Sequence, residues 1–223
     1  IAKGREMMKT YRKELQQVAR TYGVPARFIV AIWGIETNYG SYTGGHNIFQ
    51  SLATLAYDPR RSEYFSNELM NALKIVEDGH VTVQNMTGSW AGAMGQPQFM
   101  PSSFLVYAVD YNKDGRRDIW STPIDVFASI ANYFKSTGWK SGSYWGREVT
   151  VPKDVQAKIA ASGMQAPART CGLKDHVGNM SVTDWGKFGI RDGNGKALPR
   201  APVMASLSQP DGVDGRAFLA YAN

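Results

Sequence analysis

The sequence lacks the features that are typical of a membrane-spanning protein or of a protein stabilised by disulfide bonds. Among its 223 residues there is one cysteine, Cys171, which excludes an internal disulfide and any metal site built from several cysteines. No apolar run of about eighteen residues occurs, so no transmembrane helix is predicted. Residues 1–7 lack the apolar core and the small-residue cleavage site of a signal peptide. We expect a globular, soluble domain and look for any export signal outside this sequence.

Acidic residues are outnumbered, with 19 Asp and Glu against 25 Lys and Arg, which gives a net charge of +6. This balance favours a polyanionic partner, a class that includes nucleic acid, acidic lipid and the carboxylate-bearing cell wall. The basic residues are scattered along the chain, and Arg60-Arg61 and Arg116-Arg117 are the only adjacent arginine pairs. Scattered charges are typical of a solvated surface, so the sequence argues against a nucleic-acid face.

Apolar spacing predicts two helices near the start of the chain. The first ends at Gly23 and carries one apolar stripe, formed by Met8, Tyr11, Leu15, Val18 and Tyr22. The second begins at Pro25, a residue suited to a first helical turn, and ends before Gly40. Because this helix is apolar on most of its circumference, we expect it to be buried.

Two further helices flank a loop. One follows Asp58-Pro59 and ends at Asp78-Gly79; its predicted buried face consists of Phe65, Leu69, Leu73 and Val76. The other begins near Thr122-Pro123 and continues towards Gly138. Residues 88–103 are too rich in Gly and Pro for a regular element, so we expect an ordered, partly buried loop with Trp90 and Phe99 in the core or the groove floor.

The pattern changes after Trp139 to short alternating stretches, which predict strands near residues 147–151 and 216–221. The fold class expected from the whole chain is α+β. We predict a mainly helical domain over residues 1–140 and a smaller α/β lobe with strands over residues 141–223.

Glu36 is a carboxylate in the apolar second helix. Ile29, Ile32 and Trp33 precede it by seven, four and three residues, which places them on its own helix face. Loss of hydration and the negative end of the helix dipole both raise the pKa expected for such a carboxyl. A carboxylic acid that stays protonated near neutral pH can donate a proton to a glycosidic oxygen. The spacing alone allows an exposed helix-end glutamate equally well.

Residues 31–40, with the sequence AIWGIETNYG, together with residues 88–103 resemble the active-site signature of the lytic transglycosylase B family. Further segments are similar to that family in the same order, namely residues 45–58, 60–65, 131–134 and 144–147. The resemblance covers roughly residues 1–150. It implies a lysozyme-like catalytic domain, with the smaller lobe flanking the substrate groove.

The resemblance implies cleavage of the β-1,4 bond between N-acetylmuramic acid and N-acetylglucosamine in peptidoglycan, with no cofactor for catalysis. Glu36 would protonate the bridging oxygen and then take the proton of the muramoyl C6 hydroxyl as a 1,6-anhydro ring closes. Hydrolysing glycosidases usually need two carboxylates. Residues 25–57 contain no acid except Glu36, and residues 88–103 contain none. This shortage agrees with a one-carboxylate mechanism, although a distant segment could supply a second acid.

The resemblance also implies substrate-binding residues. Those carried over to this sequence are Ser89, Gln98, Arg60, Arg61 and Tyr133. Ser89 and Gln98 would hydrogen-bond the sugar next to the cut, and the arginines suit lactyl or peptide carboxylates. The alternatives are loop-stabilising hydrogen bonds for Ser89 and Gln98 and core packing for Tyr133. Tyr39, three residues after Glu36, would contact either substrate or the acid.

Residues 110–125 predict a metal-binding loop. Oxygen-bearing side chains occupy positions 1, 3, 5 and 9 of an EF-hand pattern with a glycine at position 6, and they are Asp110, Asn112, Asp114 and Asp118. Ser121 replaces the usual bidentate glutamate. The resemblance implies a variant EF-hand for structural calcium, closed by Asp125 and completed by the backbone carbonyl of Arg116. A sodium site, an empty Asx-rich turn and a helix cap at Asp125 stay open.

The expected partner is the peptidoglycan glycan strand, and the expected location is the periplasm. We expect a monomer that binds no nucleic acid and reaches the outer membrane only through a lipid anchor outside this chain. Members of the family have more chain at both ends, including a Tyr-Asn pair that contacts substrate. Two alternatives are a lysozyme-like hydrolase and a non-catalytic wall-binding module. A calcium sensor would need a pair of complete EF-hand loops.

Overall fold

The structure, a computed structural model, describes residues 1–140, 144–165 and 175–221. The chain divides into two compact units, Ile1–Ser141 and Gly142–Asn223. In the described ranges no helix has both the length and the apolar character needed to cross a membrane. Cys171 lies outside the described residues. The predicted α+β class is confirmed.

The first unit is mainly helical. Its helices are α1 (Ala2–Thr10), α2 (Arg12–Tyr22), α3 (Ala26–Thr37), α4 (Ile48–Tyr57), α5 (Ser62–Glu77), α6 (Pro101–Tyr107) and α7 (Pro123–Ser136). Two short antiparallel strands, β1 (His46–Asn47) and β2 (Thr87–Gly88), pair with each other. One hydrophobic cluster forms around α2, α3 and α7, and a second forms around α4, α5 and α6.

The single helix predicted at the start of the chain is two helices, so that prediction was wrong. Tyr11 interrupts the helix with φ −101° and ψ 31°. Its ring lies edge-on to Trp33 at 5.6 Å and to Phe127 at 5.4 Å between ring centres. The break lets α1 contact α3 while α2 packs on α7. Gly23 ends α2 in the left-handed conformation, as predicted.

Helix α3 is only partly buried, which corrects the prediction of a buried helix. Ile29, Val30 and Trp33 are in the core, whereas Ile35 is 77% exposed. The helix packs on α1, α2 and α7. Near its C-terminal end Glu36 is left accessible.

The buried face of α5 follows the prediction at three of its four positions, since Phe65 is buried and Leu69 and Val76 are partly buried against the core. Leu73 is instead 47% exposed, and Ala72, Ile75 and the carboxylate residue Glu68 are buried. The reason is that α5 packs against α4 and α6, two helices that the sequence analysis did not predict.

Both missed helices have a start signal in the sequence. Asn47 caps α4 by accepting a hydrogen bond from the backbone N–H of Gln50 at 3.1 Å. Pro101 occupies the first turn of α6. The predicted loop over residues 88–103 therefore ends earlier than expected, because its last three residues are helical.

The described part of the second unit contains an antiparallel sheet and two helices. Its elements are β3 (Gly146–Thr150), α8 (Lys153–Ser162), β4 (His176–Ser181), α9 (Val182–Phe188), β5 (Arg191–Asp192), β6 (Met204–Ser208) and β7 (Ala217–Tyr221). The strand order is β4-β6-β7-β3-β5. β3 and β7 lie within one residue of the strands predicted from alternation. Trp185, Leu207 and Leu219 are buried in the core of this unit.

Candidate active site

Glu36 is the penultimate residue of α3 and borders a pocket of about 380 Å³ in the first unit. The pocket is lined by Ile32, Glu36, Pro97, Gln98, Phe99, Met100, Ser103, Ile130, Tyr133 and Phe134. Ile130 belongs to one hydrophobic cluster and Phe99 to the other, so the two clusters meet at the walls. Among these lining residues Glu36 is the only carboxylate.

Burial raises the pKa of the Glu36 carboxyl above its ordinary value. The direction agrees with the prediction, but the surroundings differ from the expected hydrocarbon shell. Glu36 is exposed, and of the three apolar residues predicted beside it only Ile32 lines the pocket. Ile29 and Trp33 turn into the core. The carboxyl is therefore partly desolvated yet accessible, as a proton donor to a bound molecule must be.

Gln96 holds the end of α3 to the loop that follows β2. Its Oε1 accepts the indole N–H of Trp33 at 2.6 Å, and its backbone carbonyl accepts the hydroxyl of Thr37 at 2.9 Å. Its Nε2 donates to the carbonyl of Trp120 at 2.7 Å. Sequence reasoning missed this residue, because a glutamine in a Gly- and Pro-rich loop carries no signal of burial.

Gly40 makes room for Gln96. It has φ +74°, and a Cβ at this position would lie 2.3 Å from the Gln96 Oε1. A side chain here would be strained by the backbone conformation and would also displace the amide. The chain that leaves the Glu36 helix is thus shaped around the Gln96 side chain.

Gln98 lies in the pocket wall with a left-handed backbone, φ +52°. Its Nε2 donates to the carbonyls of Thr43 at 3.1 Å and Gly95 at 2.9 Å. Both predicted roles are therefore compatible with the geometry: the amide N–H₂ stabilises the loop, and the Oε1 is left as an acceptor.

Tyr133 also borders the pocket and is 42% exposed. Its ring centre lies 5.9 Å from that of Phe99 and 5.0 Å from that of Tyr107. One face of the ring is thus supported by packing while part of it stays accessible. Ser103, Met100 and Ile130 complete the wall and were not predicted as site residues.

The other predicted substrate residues do not line this pocket. Ser89 accepts the backbone N–H groups of Ala91 at 3.3 Å and Ala93 at 3.0 Å, so its oxygen stabilises a turn. The ring of Tyr39 lies edge-on to Trp33 at 5.5 Å and borders a separate cavity beside α1.

The two arginines lie at the start of α5. The Arg60 side chain is 86% exposed and pairs with Asp58 at 2.6 Å, which lowers the pKa of that carboxyl to about 2. Arg61 lies over the ring of Tyr64, 4.4 Å from its centre. Both guanidinium groups are on the surface outside the Glu36 pocket.

Glu68 is a second carboxylate of interest, because it is buried and only 2% exposed. Its oxygens accept the backbone N–H of Ser102 at 2.8 Å and the hydroxyl of Ser102 at 2.6 Å. These bonds fix the start of α6, next to the pocket residue Ser103. Glu68 is therefore committed to structure and does not line the pocket.

The oxygen-rich loop is folded around its own side chains. Asp110 accepts the backbone N–H of Asp114 at 3.1 Å and of Gly115 at 2.9 Å. The Asn112 amide donates to Asp114 at 3.0 Å, and the other oxygen of Asp114 accepts the backbone N–H of Arg116 at 2.9 Å. The side chains of Asp110, Asn112 and Asp114 all carry oxygen atoms, which are the ligands that calcium prefers.

Asp118 and Asp125, two of the predicted metal ligands, already accept hydrogen bonds from within residues 110–125. Asp125 is fully buried and accepts the backbone N–H groups of Tyr111 at 2.9 Å and Asp118 at 3.0 Å. Asp118 accepts the N–H of Trp120 at 2.9 Å and the hydroxyl of Thr122 at 3.0 Å. Within the ranges that the structure covers, no three His, Cys, Asp or Glu side chains are grouped to hold a metal.

The family profile described as the transglycosylase SLT domain matches residues 1–223. The chain belongs to this family. The membrane-bound lytic murein transglycosylase B of Escherichia coli K12 is 42% identical to this SLT domain over 165 residues, which are 74% of the chain and 42% of that protein.

Solved structures show the same fold. SltB3 from Pseudomonas aeruginosa, determined in complexes with NAG-NAM-pentapeptide and with NAG-anhNAM-pentapeptide, is 40% identical with a TM-score of 0.86 and covers 99% of this chain. The lytic transglycosylase Slt35 from E. coli, determined with calcium, is 33% identical with a TM-score of 0.77 and covers 98%. The SLT domain spans 56% of the SltB3 chain and 64% of the Slt35 chain.

Proposed function

We propose that this domain is the catalytic part of a lytic transglycosylase. It cleaves the β-1,4 bond between N-acetylmuramic acid and N-acetylglucosamine in peptidoglycan and leaves a 1,6-anhydromuramoyl end. The observation that carries the proposal is Glu36, the single carboxylate of a pocket that is otherwise neutral, with a raised pKa. The complex of SltB3 with an anhydro sugar supports the same product class.

Glu36 acts first as an acid and then as a base. Its proton passes to the glycosidic oxygen as the bond from the muramoyl C1 to that oxygen breaks, and the leaving sugar gains a free hydroxyl. The resulting carboxylate accepts the proton of the C6 hydroxyl as the C6 oxygen bonds to C1. Glu36 ends protonated as it began, and no water is consumed.

The neutral walls of the pocket support this internal attack. Ile32, Phe99 and Phe134 are apolar and exclude water from the reacting carbon. The Oε1 of Gln98 accepts a hydrogen bond from a sugar hydroxyl or acetamido group, and the ring of Tyr133 packs against a sugar face. We assign catalysis to the first unit on these grounds.

The remaining predicted residues keep proposed roles outside the pocket. Arg60 and Arg61 bind lactyl or stem-peptide carboxylates on the surface. Ser89 donates its hydroxyl proton to the glycan, because its oxygen already accepts two backbone N–H groups. Tyr39 supports the end of α3 by packing on Trp33, so it acts on the acid and does not touch substrate.

We propose a structural calcium ion in residues 110–125. Asp110, Asn112, Asp114, Asp118 and Asp125 with the Arg116 carbonyl would hold it, and the ion would offset their negative charge and stiffen the connection to α7. The Slt35 complex with calcium supports this assignment. Because the substrate is the cell wall, we place the domain in the periplasm and expect it to act as a monomer without nucleic acid.

Product analysis in labelled water tests the reaction type. Purified peptidoglycan is digested in ¹⁸O-water, and the released muropeptides are analysed by mass spectrometry beside a digest by a hydrolysing muramidase. We expect anhydromuramoyl ends without label from this protein and labelled reducing ends from the control. Label in the new ends would identify the protein as a hydrolase. If no muropeptides are released, the remaining interpretation is a non-catalytic wall-binding module.

A further inference from the structure

Trp90 is the large aromatic residue that the fold leaves uncovered in the turn after β2. It is 66% exposed, although the sequence predicted it in the core or the groove floor. Over the described ranges its indole makes no hydrogen bond and no ring contact. Burying such a ring against a ligand would remove a large apolar area from water.

The turn that carries Trp90 is nevertheless firmly anchored. β-Bridges join Gly88 to Met94 and Met94 to Phe99, so the turn is continuous with the wall of the Glu36 pocket. Gly92 packs its backbone on the buried Leu52 of α4, where an added Cβ would lie 2.5 Å from the Leu52 side chain. The backbone that carries the indole is therefore held in place, so binding would have to order only the side chain, which lowers its entropy cost.

Trp90 borders a cavity of about 310 Å³ on the outer face of α4. Apart from Leu55, the rest of its lining is polar, and the side chains of His46, Gln50 and Ser51 have no hydrogen-bond partner in the described part of the chain. No Asp, Glu, Lys or Arg is among the lining residues, and none is shared with the Glu36 pocket.

This combination fits a neutral sugar. An aromatic face packs against the apolar side of a pyranose ring, while amide, hydroxyl and imidazole groups satisfy its hydroxyl and acetamido groups. A carboxylate-bearing sugar would find no lysine or arginine among the lining residues. We propose that the cavity between Trp90 and α4 is a separate saccharide subsite for an N-acetylglucosamine unit of the strand.

This inference rests on the proposed function, because the occupant is part of the same substrate. The subsite holds the strand and does not touch the reacting bond, so it acts on substrate binding. Removing the Trp90 ring should raise the KM for polymeric peptidoglycan about tenfold, the effect of an aromatic anchor at an interface. The kcat should stay unchanged, since the Glu36 pocket keeps all its lining residues.

Fluorine NMR can locate the sugar. Protein labelled with 5-fluorotryptophan gives one signal for each of its 6 tryptophans, and Trp90→Phe identifies the signal of Trp90. A β-1,4-linked N-acetylglucosamine tetramer is the probe. We expect a saturable shift of the Trp90 signal. A Trp90 signal that stays in place while the tetramer is bound would overturn the proposal.

Matched variants distinguish binding at the subsite from non-specific binding to exposed aromatic side chains. Trp90→Ala should weaken tetramer binding about tenfold, and Gln50→Ala provides a second variant whose side chain makes no hydrogen bond. Tyr57→Ala is the control, because Tyr57 is 92% exposed at the end of the same helix and does not line the cavity. An equal loss in the Tyr57 variant would also overturn the proposal.

Parallel cleavage assays keep the two proposals distinguishable. If the tetramer shifts Trp90 but no anhydromuramoyl product is formed, the subsite stands and the proposed reaction fails. If cleavage occurs with the same KM in wild type and Trp90→Ala, the reaction stands and the subsite fails.

Discussion

Trp33 donates its indole N–H to the Oε1 of Gln96 across 2.6 Å, and both side chains are buried. Trp33 lies one helical turn before Glu36, and Gln96 lies two residues before Gln98. The same amide binds the carbonyl of Trp120, which follows the oxygen-rich loop. The Gln96 side chain thus links the helix that carries the acid to the residue that follows the oxygen-rich loop, and Gln96 itself is close in sequence to the pocket wall.

Gln96→Met should therefore damage both stability and catalysis. The variant keeps the volume but leaves the Trp33 N–H and the Trp120 carbonyl without partners, and each unsatisfied buried group costs about 1–3 kcal/mol. For the two groups together, denaturant unfolding should show a loss of about 2–6 kcal/mol. The kcat for peptidoglycan should fall about tenfold or more, because small misplacements of an acid are costly.

Gln17→Met is the matched control, since Gln17 is exposed on α2. It should leave both measurements unchanged. A Gln96→Met protein with wild-type kcat would show that the hydrogen bonds to Gln96 do not position the acid.

Glu36→Gln should abolish cleavage while stabilising the protein at neutral pH. The amide keeps the shape but has no proton to deliver, so turnover should fall at least about 10²-fold. Burial raises the pKa of Glu36 in the folded state. Folding therefore favours the protonated form, and the wild type loses stability as pH rises from the unfolded pKa, near 4.3, through the folded pKa.

Melting temperatures of the two proteins measured from pH 3 to 8 check this relation. We expect the curves to coincide at the acidic end and the variant to melt higher above the folded pKa. Turnover above about a tenth of the wild-type rate would remove Glu36 from its proposed role.

Glu68→Gln tests whether the buried acid takes part in chemistry. Each carboxylate oxygen of Glu68 accepts one hydrogen bond from Ser102. The substitution replaces one of these oxygens by an NH₂ group, which cannot accept, so one of the two bonds is lost. Unfolding free energy should fall by about 1–3 kcal/mol. The pH profile of kcat should keep its shape, because Glu68 does not line the pocket. A lost limb of that profile in folded Glu68→Gln protein would reveal a second catalytic carboxylate.

The sequence predicted the helices with one strong apolar stripe, the strands β3 and β7, and the acid Glu36. It did not predict the break at Tyr11, because apolar spacing continues across it and only the packing of α1 on α3 and α2 on α7 interrupts the helix. On α5 it placed Leu73 in the core and missed Ala72 and Ile75, because the packing of the neighbouring helices α4 and α6 decides which residues are buried.

Site residues held by long-range hydrogen bonds were the hardest to predict. Glu68 has no distinctive sequence neighbours, and its burial depends on Ser102, 34 residues later. Gln96 depends in the same way on Trp33, 63 residues earlier. Spacing within one element reports on that element alone, whereas these contacts exist only after the elements have packed.

Calcium should stabilise the protein through the loop at residues 110–125 without changing the chemistry at Glu36. An ion that binds only the folded state raises its stability by mass action. Because Ser121 replaces the bidentate glutamate, we expect a Kd of about 10⁻⁴ M, as in extracellular modules. At 10 mM calcium, about 100 times that Kd, the gain is about 2.7 kcal/mol, which corresponds to a Tm increase of roughly 5–10 °C.

Asp114→Ala should remove the calcium-dependent part of this increase. The comparison is made within each protein, between chelator and calcium, because Asp114 also accepts the backbone N–H of Arg116 and its loss lowers the Tm in both conditions. Asp154→Ala is the control, since Asp154 is an exposed aspartate in the first turn of α8. It should keep the full calcium response. Folded wild-type protein whose Tm is the same in chelator and in 10 mM calcium would leave Asp125 with a structural role only, as the acceptor that joins Tyr111 and Asp118.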